Sequence, residues 1–215
     1  MLDEREIDAL SKELLSRFSG TRTRSDYSWP SPPLNVLDCV LSLNRRYDSF
    51  VLPRVEMFRG NHPNLTTLRG LAALIRQYAT PLHFSKAELN YNDRARAQTL
   101  LGVTDYLISA QLSHPGETED ARLKRWAGSV RPYEFMAVGV RGFGLAGFQY
   151  LRMLFGVQTA KPDVHVCRFV SRVVDRRLND WEALELLESA AQRVRLPLRE
   201  VDGEIWDAAA RSSGS

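Results

Sequence analysis

The sequence predicts an all-α fold, and three observations carry that expectation. Apolar residues recur at spacings of three and four along most of the chain, no stretch alternates apolar and polar residues as a half-buried strand would, and turn residues close one helical stretch after another. With 215 residues the chain can bury one ordinary core or build two lobes. Hydrophobic residues make up 44% and charged residues 26%, and the 10 prolines and 13 glycines are spread out, so disorder is not the default reading.

The elements follow in order. Leu2 to Phe18 sets Ile7, Leu10, Leu14, Leu15 and Phe18 on one face of an amphipathic helix. Thr21 to Pro33, with Trp29 and three prolines, is a connector. Leu34 to Leu43 is a short apolar helix that ends at Asn44-Arg45-Arg46. Helix resumes from Ser49 to Phe58, with Pro53 in the first turn, where a missing amide proton leaves nothing unpaired. Asn64 or Thr66 is placed to cap a helix reaching about Tyr78, and Ser85-Lys86-Ala87-Glu88 has capping-box spacing for the next. Asn92 to Gln111 reads as a longer helix and Asp120 to Ala127 as a short one. Arg131-Pro132 then opens Tyr133 to Val138, Gly139 to Gly144 forms a tight turn, and Leu145 to Phe155 is an apolar helix closed by Gly156. Val157 to Lys161 loops into Pro162-Asp163, which starts a helix from Val164 to Arg177. Trp181 to Val194 and Leu198 to Ala210 are the last two helices, and Arg211 to Ser215 reads as a frayed tail.

The longest apolar runs are four or five residues, such as Leu71 to Ile75, and the first six residues lack a signal peptide's apolar stretch. The expectation is a soluble cytoplasmic protein without a membrane partner. Cys39 and Cys167 sit among apolar neighbours, 128 positions apart, and His62, His83 and His114 show no ligand spacing, so no metal or other cofactor is expected. The net charge of +3 is unevenly divided. From Ala121 to Arg177 eleven Lys and Arg face three acids, a net of +8, while the rest of the chain, with 18 basic and 23 acidic residues, stands at -5. A basic stretch in an otherwise acidic chain suits a polyanion, or is a solvated helix face.

Gly142-Phe143-Gly144-Leu145-Ala146-Gly147 fits G-x-G-x-x-G, with Asp163 21 residues after the first glycine, as in a dinucleotide-binding fingerprint. That fingerprint needs a strand ending at the acid. Only Val157-Gln158-Thr159-Ala160 stands before Lys161-Pro162, and no parallel sheet is in prospect, so a dinucleotide-binding enzyme is the third reading. Two helices joined by a glycine turn fit the same residues better. Gly142 and Gly144 permit the turn and a close approach, and the amides that open the following helix present the positive end of its dipole to a phosphate.

Val140-Arg141-Gly142-Phe143-Gly144-Leu145-Ala146 resembles the L-P-G-V-G-x-x hairpin of the HhH-GPD superfamily of base-excision DNA glycosylases. The resemblance continues through Tyr150 to Gly156 and to Lys161-Pro162-Asp163-Val164-His165-Val166, similar to the V-D-x-H-V segment that carries the family's catalytic Asp. Leu41-Ser42-Leu43-Asn44 is similar to the S-x-Q/N helix end whose amide enters the space left by a flipped base. It covers roughly Leu34 to Arg177. Ala146 stands where bifunctional members carry a Schiff-base Lys, Arg141 replaces the usual hairpin Pro, and the four-cysteine iron-sulfur loop is missing.

The resemblance implies a two-lobed helical fold. Residues 30–156 would form a barrel lobe ending in a helix-hairpin-helix at about 132–155, residues 1–29 with 157–215 a second lobe, and the cleft between them the site. It implies a monomeric, monofunctional glycosylase acting on a damaged or mispaired base in duplex DNA, with Asp163 catalytic and Arg141, Gly142, Gly144, Ala146 and Asn44 on the DNA. A catalytically silent DNA-binding protein is the alternative. Each residue also has a plainer role: Asp163 as an N-cap, Asn44 as a helix end, the glycines as turn formers, His165 as a core histidine. Trp29, Tyr47 and Tyr150 either wall a base pocket or belong to the core.

Overall fold

The computed structural model describes residues 2–18 and 28–212. Eleven α-helices are present among them: α1 (Glu4–Phe18), α2 (Pro32–Leu41), α3 (Leu52–Asn61), α4 (Leu68–Arg76), α5 (Pro81–Leu89), α6 (Arg94–Ala110), α7 (Glu119–Ser129), α8 (Leu145–Leu154), α9 (Val164–Val173), α10 (Asp180–Arg193) and α11 (Leu198–Ser212). A π-helical turn, Tyr47–Val51, precedes α3, and 3-10 helices, Gln111–Ser113 and Pro132–Val138, flank α7. The described residues contain no strand. The predicted all-α class is therefore the observed one. Residues 19–27, among them 21–27 of the predicted connector, and the last three residues of the predicted tail lie outside the described residues, but Arg211 and Ser212 belong to α11.

The chain divides into two compact units, residues 28–157 and residues 1–27 with 158–215. The first is built round α2, every residue of which is buried, as expected of a helix that is apolar on all sides. It packs against α3, α4, α6, α7 and α8. Trp126 on α7 fills the adjoining space, with Tyr106, Phe148 and Phe155 set edge-on around it at centroid distances of 6.0, 5.9 and 6.3 Å. α2 and α8 approach each other closely. The Cys39 thiol reaches the Gly147 carbonyl at 3.2 Å, and a Cβ on Gly147 would come within 3.0 Å of Leu43 and Phe143.

In the other unit α1 packs on α10 and α9, and α11 packs on α9 and α10. Ile7, Leu10, Leu14 and Phe18 of α1 are buried as the spacing predicts, while Leu15 stays 44% exposed, one residue off the stripe. Outside that apolar seam, Arg193 pairs with Glu4 and Asp8, and Arg176 bridges Glu6 and Glu182.

Helix starts differ from expectation at several points. The cap of α4 is Thr67, whose hydroxyl accepts the Gly70 amide, rather than Asn64 or Thr66. The cap of α5 is Thr80, so Ser85 and Glu88 lie inside the helix: Ser85 donates to the Tyr91 carbonyl, and Glu88 receives Tyr78 and His62. Asp93 and Thr118 cap α6 and α7. The helix expected to run to Arg177 stops at Val173, and Asp175 turns the chain at φ 52°.

Candidate functional site

The glycine turn belongs to residues 28–157. The 3-10 helix Pro132–Val138 ends at Gly139 with φ 64°, Gly142 follows at φ 81°, and α8 begins after Gly144. Positive φ explains the glycines at 139 and 142. Gly144 is different. Its φ is -99° and a Cβ there would meet nothing within 4 Å, so neither backbone nor packing demands a glycine. As N-cap it offers no side chain, which leaves the first amides of α8 uncapped at an exposed position. Thr99 braces the turn by donating to the Arg141 carbonyl at 3.1 Å, and the Arg141 side chain is exposed. Ala146 lies half-buried in the first turn of α8, and Gly147, the third glycine of the motif, is explained by the α2 contact.

Asp163 belongs to the other unit, at the N-cap of α9. One carboxylate oxygen, Oδ1, accepts both the His165 amide at 2.8 Å and the Val166 amide at 3.3 Å. Its second oxygen has no hydrogen-bond partner among the described residues. Beyond the cap, Val164 stands 51% exposed. The segment leading into Asp163 is held at three points. Gln158 accepts the Arg199 amide, the Thr159 hydroxyl donates to Glu188 at 2.9 Å, and the Lys161 amide donates to Asp202 at 2.7 Å. The Asp163 amide in turn donates to the Lys161 carbonyl at 2.7 Å. His165 contacts Trp206 edge to face, joining α9 to α11.

Asp202 was not legible as a site residue. Leu198, Val201 and Ile205 mark the buried face of α11, and an acid four residues after Leu198 is the signal that was there to find. Burial of its carboxyl, and secondarily the Asp163 charge, raise its pKa to about 7, against the opposing pull of the Lys161 amide and charge.

The three aromatics that sequence left open converge on a second unforeseen acid. Asp38 is fully buried on α2, and it accepts hydrogen bonds from Trp29 Nε1, the Tyr47 hydroxyl and the Tyr150 hydroxyl, each at 2.7 Å. Burial, with the Asp38 charge beside them, pushes both phenols well above their ordinary pKa, so they remain donors. An acid inside an otherwise apolar helix was the signal. Asn44 sits just past this helix with φ 57° and an exposed side chain; Ser42, not Asn44, is the C-cap of α2.

The basic stretch is less free than its count suggests. Arg152 is buried, donating to the Ala127 carbonyl and Gln149; Lys124 pairs with Asp120; Arg122 holds Gln111 and Gly116; and Arg176 is engaged by two glutamates. Arg125, Arg131, Arg141, Arg168, Arg172 and Arg177 are exposed and form no ion pair among the described residues. Arg168, Arg172 and Arg177 line an open groove of about 680 Å³ along α9, together with Cys167 and Ser171. Cys167 is thus only half-buried, unlike Cys39. No helix among the described residues is long and apolar enough to cross a membrane.

Residues 116–210, less than half of the chain, match the model of a domain of unknown function, DUF8548. The matched segment contains the glycine turn, Asp163 and Asp202 but neither Asp38 nor Asn44. No curated protein and no solved structure matches the chain.

Proposed function

We propose that the protein is a monofunctional DNA glycosylase, hydrolysing the N-glycosidic bond of a damaged or mispaired base extruded from duplex DNA. The observation that carries this reading is the Asp163 carboxylate: one oxygen is fixed by two helix amides, the other is left without a partner, and the segment before it is tied down at three points. A carboxylate oriented in this way suits a dissociative displacement at C1′. The C1′–N bond breaks with its electron pair leaving on the base, the unengaged oxygen faces the cationic sugar, and a water oxygen bonds to C1′ as one of its protons passes to that carboxylate oxygen and ends on the released base. The uncapped amides of α8 behind Gly144, with Arg141 beside them, suit a DNA phosphate. The Asn44 side chain, exposed at the end of its turn, is available to the space a flipped base vacates. Ala146 supplies no amine for a Schiff base, so the product is an intact strand with an abasic site.

The test is release of free base from oligonucleotides carrying uracil, hypoxanthine, alkylated or oxidised purines, followed under single-turnover conditions with and without alkali. Asp163→Asn should lower the rate on the active lesion by about a hundredfold or more while DNA affinity holds. Strand breaks should appear only after alkali. Release by the variant at the wild-type rate would reduce Asp163 to a cap, and DNA binding without release from any lesion would leave a silent DNA-binding protein.

A further inference from the structure

The segment from Val157 to Asp163 has no helix of its own, yet Thr159, Ala160 and Pro162 are buried and its polar groups reach across to α10 and α11. The bond nearest the reactive group is the one from Asp202. Its Oδ1 accepts the Lys161 amide across 41 residues of sequence, and the Lys161 carbonyl in turn accepts the Asp163 amide. The path from Asp202 to Asp163 is therefore two hydrogen bonds long and passes through backbone only. Backbone bonds of this kind set where a side chain starts from, because they fix the dihedral angles on either side of Pro162 and so the direction in which the Asp163 Cβ leaves the chain. The His165–Trp206 contact, four residues further along α11 from Asp202, holds the two helices at the same level.

Resting on the assignment of Asp163 as the reacting carboxylate, we propose that Asp202 is a positioning residue for it, holding the Lys161–Asp163 turn so that the second oxygen of Asp163 stays aimed at the substrate. What Asp202 supplies is an acceptor for one amide. The charged groups that act on it are Lys161 and Asp163, both on the segment opening α9. Because the Asp202 carboxyl changes charge near pH 7, the strength of that acceptor changes in the same range: the carboxylate holds the amide more firmly than the neutral acid does.

Three full-length variants separate this role from a merely structural one. Asp202→Asn keeps an acceptor oxygen without a titrating group, Asp202→Ala removes the acceptor, and Asp163→Asn reports the reacting group itself. Single-turnover base release by wild type should rise with pH through a step near 7, and Asp202→Asn should retain most of the rate without the step. Asp202→Ala should fall tenfold or more, with DNA affinity unchanged. A second readout is independent of catalysis: the Lys161 amide resonance should titrate near pH 7 in wild type, not titrate in Asp202→Asn, and exchange with solvent at least tenfold faster in Asp202→Ala. If the amide behaves so but no lesion is cleaved, the turn is held by Asp202 and the glycosylase reading falls alone. The positioning role is overturned if Asp202→Ala leaves the Lys161 amide protected, or if Asp202→Ala cleaves at the wild-type rate.

Discussion

A carboxyl group whose pKa is raised on folding costs the protein stability once it ionises, and Asp202 is such a group. Unfolded, it loses its proton near pH 4; folded, it keeps the proton to about 7. Over that interval the folded state binds more protons, so the contribution of Asp202 to stability falls as pH rises and is level above 7. Asp202→Asn should therefore be more stable than wild type at pH 8, by on the order of 1 kcal/mol or more, with the gain vanishing toward pH 4. Urea unfolding of both proteins at pH 4.5, 6 and 8 checks this, and a constant difference across the series would refute it. Asp202 and Asp38 each leave only a faint signal in sequence, an acid among the apolar residues of a buried helix face, and that signal does not say what the acid does. Asp38 is the one acid of α2 and Asp202 one of four acids on α11, and each acquires its meaning from partners that sequence does not place beside it: Tyr150 for Asp38 and Lys161 for Asp202. The place of Asp163 at a helix N-cap was legible because its signal is local, an acid after a proline and before a helix.

At the scale of elements, the order of helices could be read from apolar spacing alone, but their starts could not. Asn64, Thr66 and Thr67 all stand before α4, and the one that caps is Thr67, while Ser85 and Glu88 have box spacing but lie inside α5, whose cap is Thr80; in both cases an extended residue brings its hydroxyl to an amide of the first turn. The glycine motif divides for a related reason. Three glycines that look alike as letters answer to a positive φ at 142, a tight helix contact at 147, and neither at 144. Gly142→Ala should cost about 1 kcal/mol or more, and Gly144→Ala within about 0.5 kcal/mol of nothing, by thermal unfolding. Duplex binding should show the converse at 144, where Gly144→Val weakens affinity without lowering the melting temperature. A fall in both together would mean that Gly144 serves the turn only.

For the molecule as a whole, the charge that sequence counted and the charge available to a polyanion are different quantities. Of the eleven cations between Ala121 and Arg177, Arg152 is spent inside the core and Arg176 on two glutamates, and six remain exposed without an ion pair among the described residues. If those six face phosphates, the slope of log affinity against log salt on duplex DNA should be no steeper than about -5, and Arg168→Ala with Arg172→Ala should flatten it by about 2. A slope of zero would remove the DNA face. A double variant with the wild-type slope would move the contacts off α9.

The division of the chain also sets a clock. Residues 28–157 are contiguous, whereas α1 packs on α10, which begins at Asp180. On a ribosome adding about 5–20 residues per second, the apolar stripe of α1 waits on the order of ten to thirty seconds before its partner is made. Of the anchors of the segment before Asp163, Glu188 comes with α10 itself and Asp202 on α11 is made later still. A nascent chain can thus complete its glycine turn before Asp202 is made to hold the segment leading into Asp163, so that, on the function proposed above, affinity for a polyanion would precede competence to act on it.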